Sequence, residues 1–366
     1  MAKDSFDPYQ LRPLASLNRR RTISMPGIGA GMVGKTGWDL LSTQALITLI
    51  QPHVSELGLA HVDSVDLPVH LNKLLESSDG SVGALAASIA EQYGERLGCF
   101  IASLLCTSQG LTSPMVSWEE AYLKYWQEDV KEIVLGGGLS SGVFGKHIRT
   151  VAERVLIRCG IRHCRIDVSE YASYLPLMGA ARNHPAGIPG SVAVFDFGGS
   201  WVKRGVAFYD EGQALYKLRV LPSCYIGDLT VPEKTAELSN VIIAIIAETI
   251  QKAGSDTLLA PRVLCSIAGY VEDGQPVKIE RGVYTSFHHF SSDVTGWFSQ
   301  KISNVLGQSV QVRFFRDGDV AACAYAGRSN AAIIMLGTAL GAGFVPLGDN
   351  YRPLSNHFSL DEISDI

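Results

Sequence analysis

Residues 192–208 read VAVFDFGGSWVKRGVAF, and the fold turns on how they are read. Val192, Val194 and Phe195 make an apolar run that ends at Asp196. Gly198 and Gly199 permit a tight reversal, and Val202, Gly205, Val206, Ala207 and Phe208 lead away as a return strand. A turn without side chains lets backbone N–H groups approach a polyanion closely. A carboxylate at the strand end, Asp196, suits Mg²⁺ held directly or through water beside phosphates. Ser200 adds a hydroxyl and Lys203 a positive charge. An ordinary β-hairpin would carry the same letters, so the test is whether the pattern recurs.

It recurs twice. Residues 132–141, EIVLGGGLSS, place the short apolar strand Ile133, Val134, Leu135 before Gly136, Gly137 and Gly138, and a helix is expected over 144–157. Strand, glycine turn, helix is a geometry in which backbone can lie flat against a nucleotide. Residues 333–345, IIMLGTALGAGFV, form a third element of strand, glycine turn and strand, with Gly337, Thr338 and Gly341. Before it, a strand at 310–315 delivers Arg316, Asp317, Gly318 and Asp319 to a helix at 320–326. At such a strand end Asp317 is placed to take the proton of an attacking hydroxyl, help worth ~10²–10⁴-fold. Asp319 is its rival, and a helix-capping role is open to both.

The remaining chain reads as alternating helices and strands. Helices are expected over 38–49, 82–105, 172–181, within 232–253 and over 296–306. Asp79 or Ser81 caps the second of these, and Gly94 and Gly98 inside it point to close helix packing. Strands are expected at 165–169 and at 263–270, the latter ending in Gly269. Residues 183–190, NHPAGIPG, read as a linker.

Composition sets the bounds. With 366 residues, 46% of them hydrophobic, the chain has material for about two domains. A net charge of −5 argues against a nucleic-acid partner. No signal-peptide core or bilayer-length apolar span is present, so neither a membrane partner nor secretion is expected, and a cytoplasmic location is. Seven scattered cysteines fit reduced thiols in such a compartment. Cys159, His163 and Cys164 lack a second ligand pair, so zinc is not expected there. His288, His289 and His357 read as satisfied or exposed side chains rather than ligands.

Taken together, these stretches resemble a family. DFGGSWVKRG is similar to the first phosphate motif of the superfamily of sugar kinases, Hsp70 and actin, and within it to ROK-type sugar kinases. EIVLGGGLS resembles their adenosine motif, LGTALGAGFV their second phosphate motif, and LPLMGAAR their closing helix. VLCSIAGYVEDG resembles a connecting strand, and RDGDVAACAYAG the segment that carries the catalytic aspartate.

The resemblance implies an α/β, two-lobed actin-like ATPase (ribonuclease H-like) fold with a central cleft. It implies ATP and Mg²⁺ as cofactors and phosphorylation of a sugar hydroxyl, on a hexose or amino sugar. Asp317 would be the base and Asp196 the Mg²⁺ organiser. Gly198, Gly199, Ser200, Lys203, Gly337, Thr338 and Gly341 would line the phosphates, and Gly136, Gly137 and Gly138 the adenosine. Gly269, Arg316, Glu362 and Asp365 would meet the sugar.

The motif order differs from the family's, with the adenosine loop ahead of the first hairpin, as in a circular permutation. One lobe would then hold residues 1–181 and 331–366, with both chain ends near each other, and the other 182–330. A homodimer that completes a lobe by domain swapping is left open. Asp365 stands where the family has a histidine, Arg316 where it has an asparagine, and the run 26–38 lacks the family's zinc-binding cysteines. Those changes keep a second reading in play, a sugar- or nucleotide-binding regulator without turnover. No DNA-binding helix-turn-helix is evident before Gly37.

Overall fold

Two larger sheets organise the described residues, each built from stretches far apart in sequence, and Val271–Glu272 and Gln275–Pro276 form a small hairpin of their own. The computed structural model describes residues 6–106, 117–255, 257–278, 283–348 and 350–363. In chain order come α1 (Gly37–Leu41), α2 (Thr43–Ile50), α3 (Leu67–Leu74), α4 (Gly80–Leu105), α5 (Trp118–Glu128), β1 (Glu132–Gly136), α6 (Gly142–Arg158) and β2 (Arg165–Val168). Next are α7 (Leu175–Arg182), β3 (Ser191–Phe197), β4 (Trp201–Tyr209), β5 (Leu215–Tyr225), α8 (Thr235–Gly254), β6 (Leu259–Ile267), β7 (Val271–Glu272) and β8 (Gln275–Pro276). The chain ends with α9 (Val294–Leu306), β9 (Gln311–Arg316), α10 (Asp317–Cys323), β10 (Ala331–Met335), β11 (Gly341–Phe344) and β12 (Leu354–Glu362). One unit is Met1–Ser173 with Asn330–Phe344, and the second is Tyr174–Ser329 with Val345–Ile366.

In the first unit the sheet order is β11-β10-β1-β2. β1 pairs in parallel with β10 and β2, and β10 turns back antiparallel into β11. Every residue of β1 and β10 is buried; both runs are apolar except for Glu132, which pairs with Arg165 at 2.9 Å. The long helix α4 is capped by Asp79, whose side chain accepts from the Ser81 and Val82 amides. Its glycines do what their spacing suggested. A Cβ at Gly94 would come within 2.6 Å of the Val151 Cβ, and one at Gly98 within 2.5 Å of the Val155 Cβ, so α6 packs directly on the α4 backbone. The Glu91–Arg154 and Glu95–Arg158 pairs, both at 2.7 Å, flank that seam.

The single helix expected over 38–49 is two. Ser42 takes an extended conformation (ψ 160°), and its side chain accepts from the Ala45 amide, which starts α2 afresh. The edge strand β11 is covered by α5, whose Tyr125 and Trp126 rings lie 4.5 and 5.1 Å from the Phe344 ring. Covering an edge in this way removes a template for unwanted strand pairing.

In the second unit the sheet order is β12-β5-β4-β3-β6-β9. β3, β4 and β5 form an antiparallel meander, and β6 and β9 continue from β3 in parallel. Ala193, Phe195 and Phe197 alternate onto one face, where they share a core with Ile242 and Ile246 of α8 and Phe298 of α9. α7 packs against β3 and against α10. There Gly179 is obligatory, because a Cβ would fall 1.6 Å from the Val320 carbonyl oxygen.

Two segments lie elsewhere than the motif order implied. Residues 345–366, expected in the first unit, belong to the second, because β12 pairs in parallel with β5. Arg352 anchors this return. Its side chain is 3% exposed and its Nε donates to the His184 carbonyl at 2.8 Å, a partner that a buried guanidinium must find. Residues 174–181 also fall in the second unit, through the packing of α7 on β3.

Candidate functional site

The site in the second unit follows from strand register. Asp196 pairs with Ser266 across β3 and β6, and Ser266 with Phe315 across β6 and β9. In-register residues of parallel strands share a face, so Asp196 and Ser266 stand side by side. Asp317 follows Phe315 by two positions, at the point where β9 becomes α10. All three strands end together.

Hydrogen bonds then fix the carboxylates. Asp196 is 6% exposed; its Oδ1 accepts from Ser266 Oγ at 2.9 Å and its Oδ2 from Lys203 Nζ at 3.3 Å. Lys203 is the in-register neighbour of Asp196 on β4, so the hairpin itself supplies the countercharge. Asp317 Oδ1 accepts from the Gly318 amide at 2.7 Å. Burial pushes the Asp317 carboxyl up to about 6; the Arg316 guanidinium and the Gly318 amide pull the other way, and Asp196 and Asp319 add to the rise.

Asp319 has a different task. Arg316 grips it through two bonds, Nε to Oδ2 at 2.8 Å and Nη2 to Oδ1 at 2.6 Å. This fork takes Asp319 away from both the base and the cap roles. Arg316, expected to meet the sugar, is 7% exposed and turned onto Asp319, with its guanidinium 5.4 Å from the Tyr270 ring centroid. The motif position is therefore a structural clamp beside Asp317.

The glycine turn is held from below. Tyr284, fully buried, donates from its hydroxyl to the Gly198 carbonyl at 2.6 Å. Burial, and then the Asp196 and Asp317 charges, push that phenol well above its ordinary value, so it remains a donor. The Gly198 amide donates to the Trp201 carbonyl at 3.0 Å, and the Ile226 amide to the Ser200 carbonyl at 2.8 Å. Gly198, Gly199 and Ser200 are half-buried. Gly269 lies just past the end of β6, its amide bonded to the Ile267 carbonyl at 2.8 Å.

Two further sugar-contact candidates fall elsewhere. Glu362 is exposed on β12, at the sheet edge opposite β9, because the C-terminal strand joins β5. Asp365 lies outside the described residues.

Within the first unit, the two remaining glycine loops meet. The Leu336 amide donates to the Gly136 carbonyl at 2.8 Å, and the Leu139 amide to the Leu336 carbonyl at 3.1 Å. Gly137, with φ +89°, is packed so closely that a Cβ would fall 2.2 Å from the Leu336 carbonyl oxygen. Gly136 and Gly137 are buried, whereas Gly138 has open space before it. Thr338 is exposed and Gly337 half-buried, while Gly341 is a buried strand residue. Only Gly138, Gly337 and Thr338 of this set therefore offer themselves to a ligand.

Sequence reasoning missed four supports. Ser266 was detectable in principle, as a lone hydroxyl within a buried run. Tyr284, Asn18 and Thr43 carry no local signal. Asn18 bonds reciprocally with Leu340, Nδ2 to the carbonyl and Oδ1 from the amide, both at 2.9 Å, and the Thr43 amide donates to the Gly337 carbonyl at 2.9 Å. Asn18→Ala is expected to release the 337–340 turn at a cost of about 1–3 kcal/mol. Amide hydrogen exchange at Leu340 should speed up about tenfold or more while β1 amides keep their protection. Unchanged exchange at Leu340 would show that Asn18 does not hold the turn.

The donor chemistry at Asp196 suits a hard cation. Among the described residues no group of three or more His, Cys, Asp or Glu could hold a metal ion. A cation beside Asp196 would thus take most of its ligands from water and phosphate, as Mg²⁺ does. His288 is satisfied, its Nε2 lying 2.6 Å from the Pro276 carbonyl, and His357 is exposed. Burial pushes the Cys164 thiol up to about 12. No helix among the described residues is long and apolar enough to cross a membrane.

Comparison with known proteins adds little to this geometry. No family model and no curated protein matches the chain. Solved structures that match include two of Aquifex aeolicus, the type II variant of the Ppx/GppA phosphatase at 13% identity and a Ppx/GppA family member at 14%. Their TM-scores are 0.19 and 0.20, and each match covers 34% of this chain. The chain spans 35% and 36% of those proteins, about a third of their length. At that level of overlap the fold is read from the chain's own topology, an α/β architecture with parallel strands in both larger sheets.

Proposed function

We propose that the second unit carries a phosphoryl-transfer site, with Asp317 as general base and a sugar hydroxyl as acceptor. The observation that carries the reading is the placing of Asp196 and Asp317 at the ends of β3 and β9, the two parallel strands that flank β6, with the Asp317 carboxyl raised to about 6. A base poised near 6 is ionised at neutral pH and still basic enough to accept a proton. The sheet supports the reading too. Its meander β3-β4-β5 with β6 and β9 added in parallel beside β3 is the order we read as a ribonuclease H-like half of an actin-like ATPase.

Each residue then has a task. Asp196 would hold Mg²⁺, which when bound neutralises charge on the transferring phosphoryl group. Ser266 and Lys203 keep the Asp196 carboxylate oriented. Tyr284 fixes the Gly198 carbonyl, and with it the turn whose amides at Gly199 and Ser200 would face phosphate oxygens. Arg316, locked to Asp319, stands beside Asp317 at the start of α10. Taken by itself, the first unit offers Gly138, Gly337 and Thr338 as its positions for a nucleotide. Catalysis here is positioning plus charge stabilisation.

The test is ADP release from ATP and Mg²⁺ in the presence of hexoses and amino sugars. At least one sugar should raise release about tenfold or more over ATP alone. Nucleotide binding without any sugar-dependent release would favour a regulator over a kinase. Absence of nucleotide binding would remove both.

A further inference from the structure

Trp201 and Tyr225 stand exposed at the mouth of the first glycine turn. They are 48% and 46% accessible, large values for aromatic side chains of this size. They are cross-strand partners on β4 and β5, with ring centroids 5.1 Å apart at an interplanar angle of 67°. Trp201 shares its strand face with Lys203, two residues on, and Lys203 reaches Asp196. The pair is therefore on the catalytic face of the hairpin.

The backbone under Trp201 is fixed, and the Tyr225 ring is seated against its neighbours. The Trp201 carbonyl closes the glycine turn through the Gly198 amide. A Cβ on Gly227 would come within 2.5 Å of the Tyr225 hydroxyl oxygen and 2.7 Å of its Cζ, so the hydroxyl end of the ring packs against a residue with no side chain. The Tyr225 hydroxyl is 3.5 Å from Asp228 Oδ1, and the Ile226 amide ties this turn to Ser200. The result is an exposed aromatic pair on a fixed backbone, with a carboxylate at its rim.

We propose that Trp201 and Tyr225 form the wall against which the acceptor's ring lies, and that Asp228 takes hydrogen bonds from its hydroxyls. The proposal rests on the phosphoryl-transfer reading and names the acceptor class, a neutral polyhydroxylated ring with an apolar C–H face. Aromatic faces hold such a surface at little conformational cost, and the polar rim fixes its orientation. The Asp228 charge disfavours an anionic nucleotide at the same wall.

The experiment uses the full chain and reads binding apart from turnover. Tryptophan fluorescence is followed while glucose, N-acetylglucosamine, N-acetylmannosamine and, separately, AMP are added. One sugar should shift the emission, and the shift should vanish in Trp201→Phe. In the ADP-release assay, Trp201→Ala and Tyr225→Ala should raise the KM of that sugar about tenfold, with kcat and the KM of ATP within about twofold. A Trp201-dependent shift without turnover would leave the wall standing and remove the transfer reading. A lost kcat with unchanged sugar KM, a shift with AMP alone, or no shift with any sugar would overturn the wall.

Discussion

Asp317→Asn is expected to lower phosphoryl transfer by ~10²–10⁴-fold and to leave nucleotide affinity within about twofold. It is also expected to make the protein more stable above pH 6. The folded carboxyl titrates near 6, whereas an unfolded Asp titrates at about 3.9. Between those values the folded state holds a proton that the unfolded state has lost. Stability therefore falls as pH rises through that window, and the penalty is complete above it. Partial access of Asp317 to solvent limits the penalty to about 2 kcal/mol. Asparagine has no such term. Urea unfolding of metal-free protein at pH 8 should favour the variant by about that much, and at pH 4 the two should converge. The wild-type rate should climb through pH 6 to a plateau. A variant with near-normal turnover, or with lower stability at pH 8, would remove Asp317 from the base role. Asp319→Asn should instead loosen the Arg316 clamp and reduce turnover far less.

Gly179→Ala should produce the largest loss of stability. In an exposed helix this change gains about 1 kcal/mol. Here the new Cβ would sit 1.6 Å from the Val320 carbonyl oxygen and 2.6 Å from its carbon, both backbone atoms that no rotamer change can move aside. α7 and α10 must separate, at a cost of roughly 3 kcal/mol or more. Asp317 opens α10, so transfer should drop even where the variant remains folded. Gly254→Ala, at the end of α8 with open space around it, is the control and should be neutral or slightly stabilising. Equal unfolding midpoints for the two variants would contradict the α7–α10 contact.

The parts of this site that can be found in the sequence are those whose signal is local. Apolar runs ending in glycine mark β1, β3 and β10, and Asp196 and Asp317 follow from their strand ends. The helix α5 also has a local signal, the capping box of Ser117 and Glu120 before it. β12 was not legible. Its residues 354–362, LSNHFSLDE, are mixed polar letters on a half-exposed edge with a register break, so no alternation survives. The unit boundary went wrong with it, because the motif order speaks for β11 and is silent on residues 345–366. Arg316 shows a third kind of failure. The letter sits at a ligand position, but an acidic residue three places on captures it, and only geometry reveals which partner wins. Asn18 serves a turn 322 residues away, a relation that no window contains.

The interleaving of the two units bears on how the chain is made. Val134 must pair with Ile333, roughly 200 residues later, before the first sheet has its central partner. Closing an open coil of that length costs about 5 kcal/mol in entropy. The second unit shortens the journey. Arg182, at the end of α7, donates to the carbonyls of Ala324 and Ala326 at 2.8 and 3.3 Å, so folding of residues 174–329 draws the two ends of the excursion together. That shortens the effective loop that β10 must close. A nascent chain halted before residue 331 would hold the meander, β6 and β9 in place, with β1 still waiting and its hydrophobic edge exposed to whatever else the cell offers it.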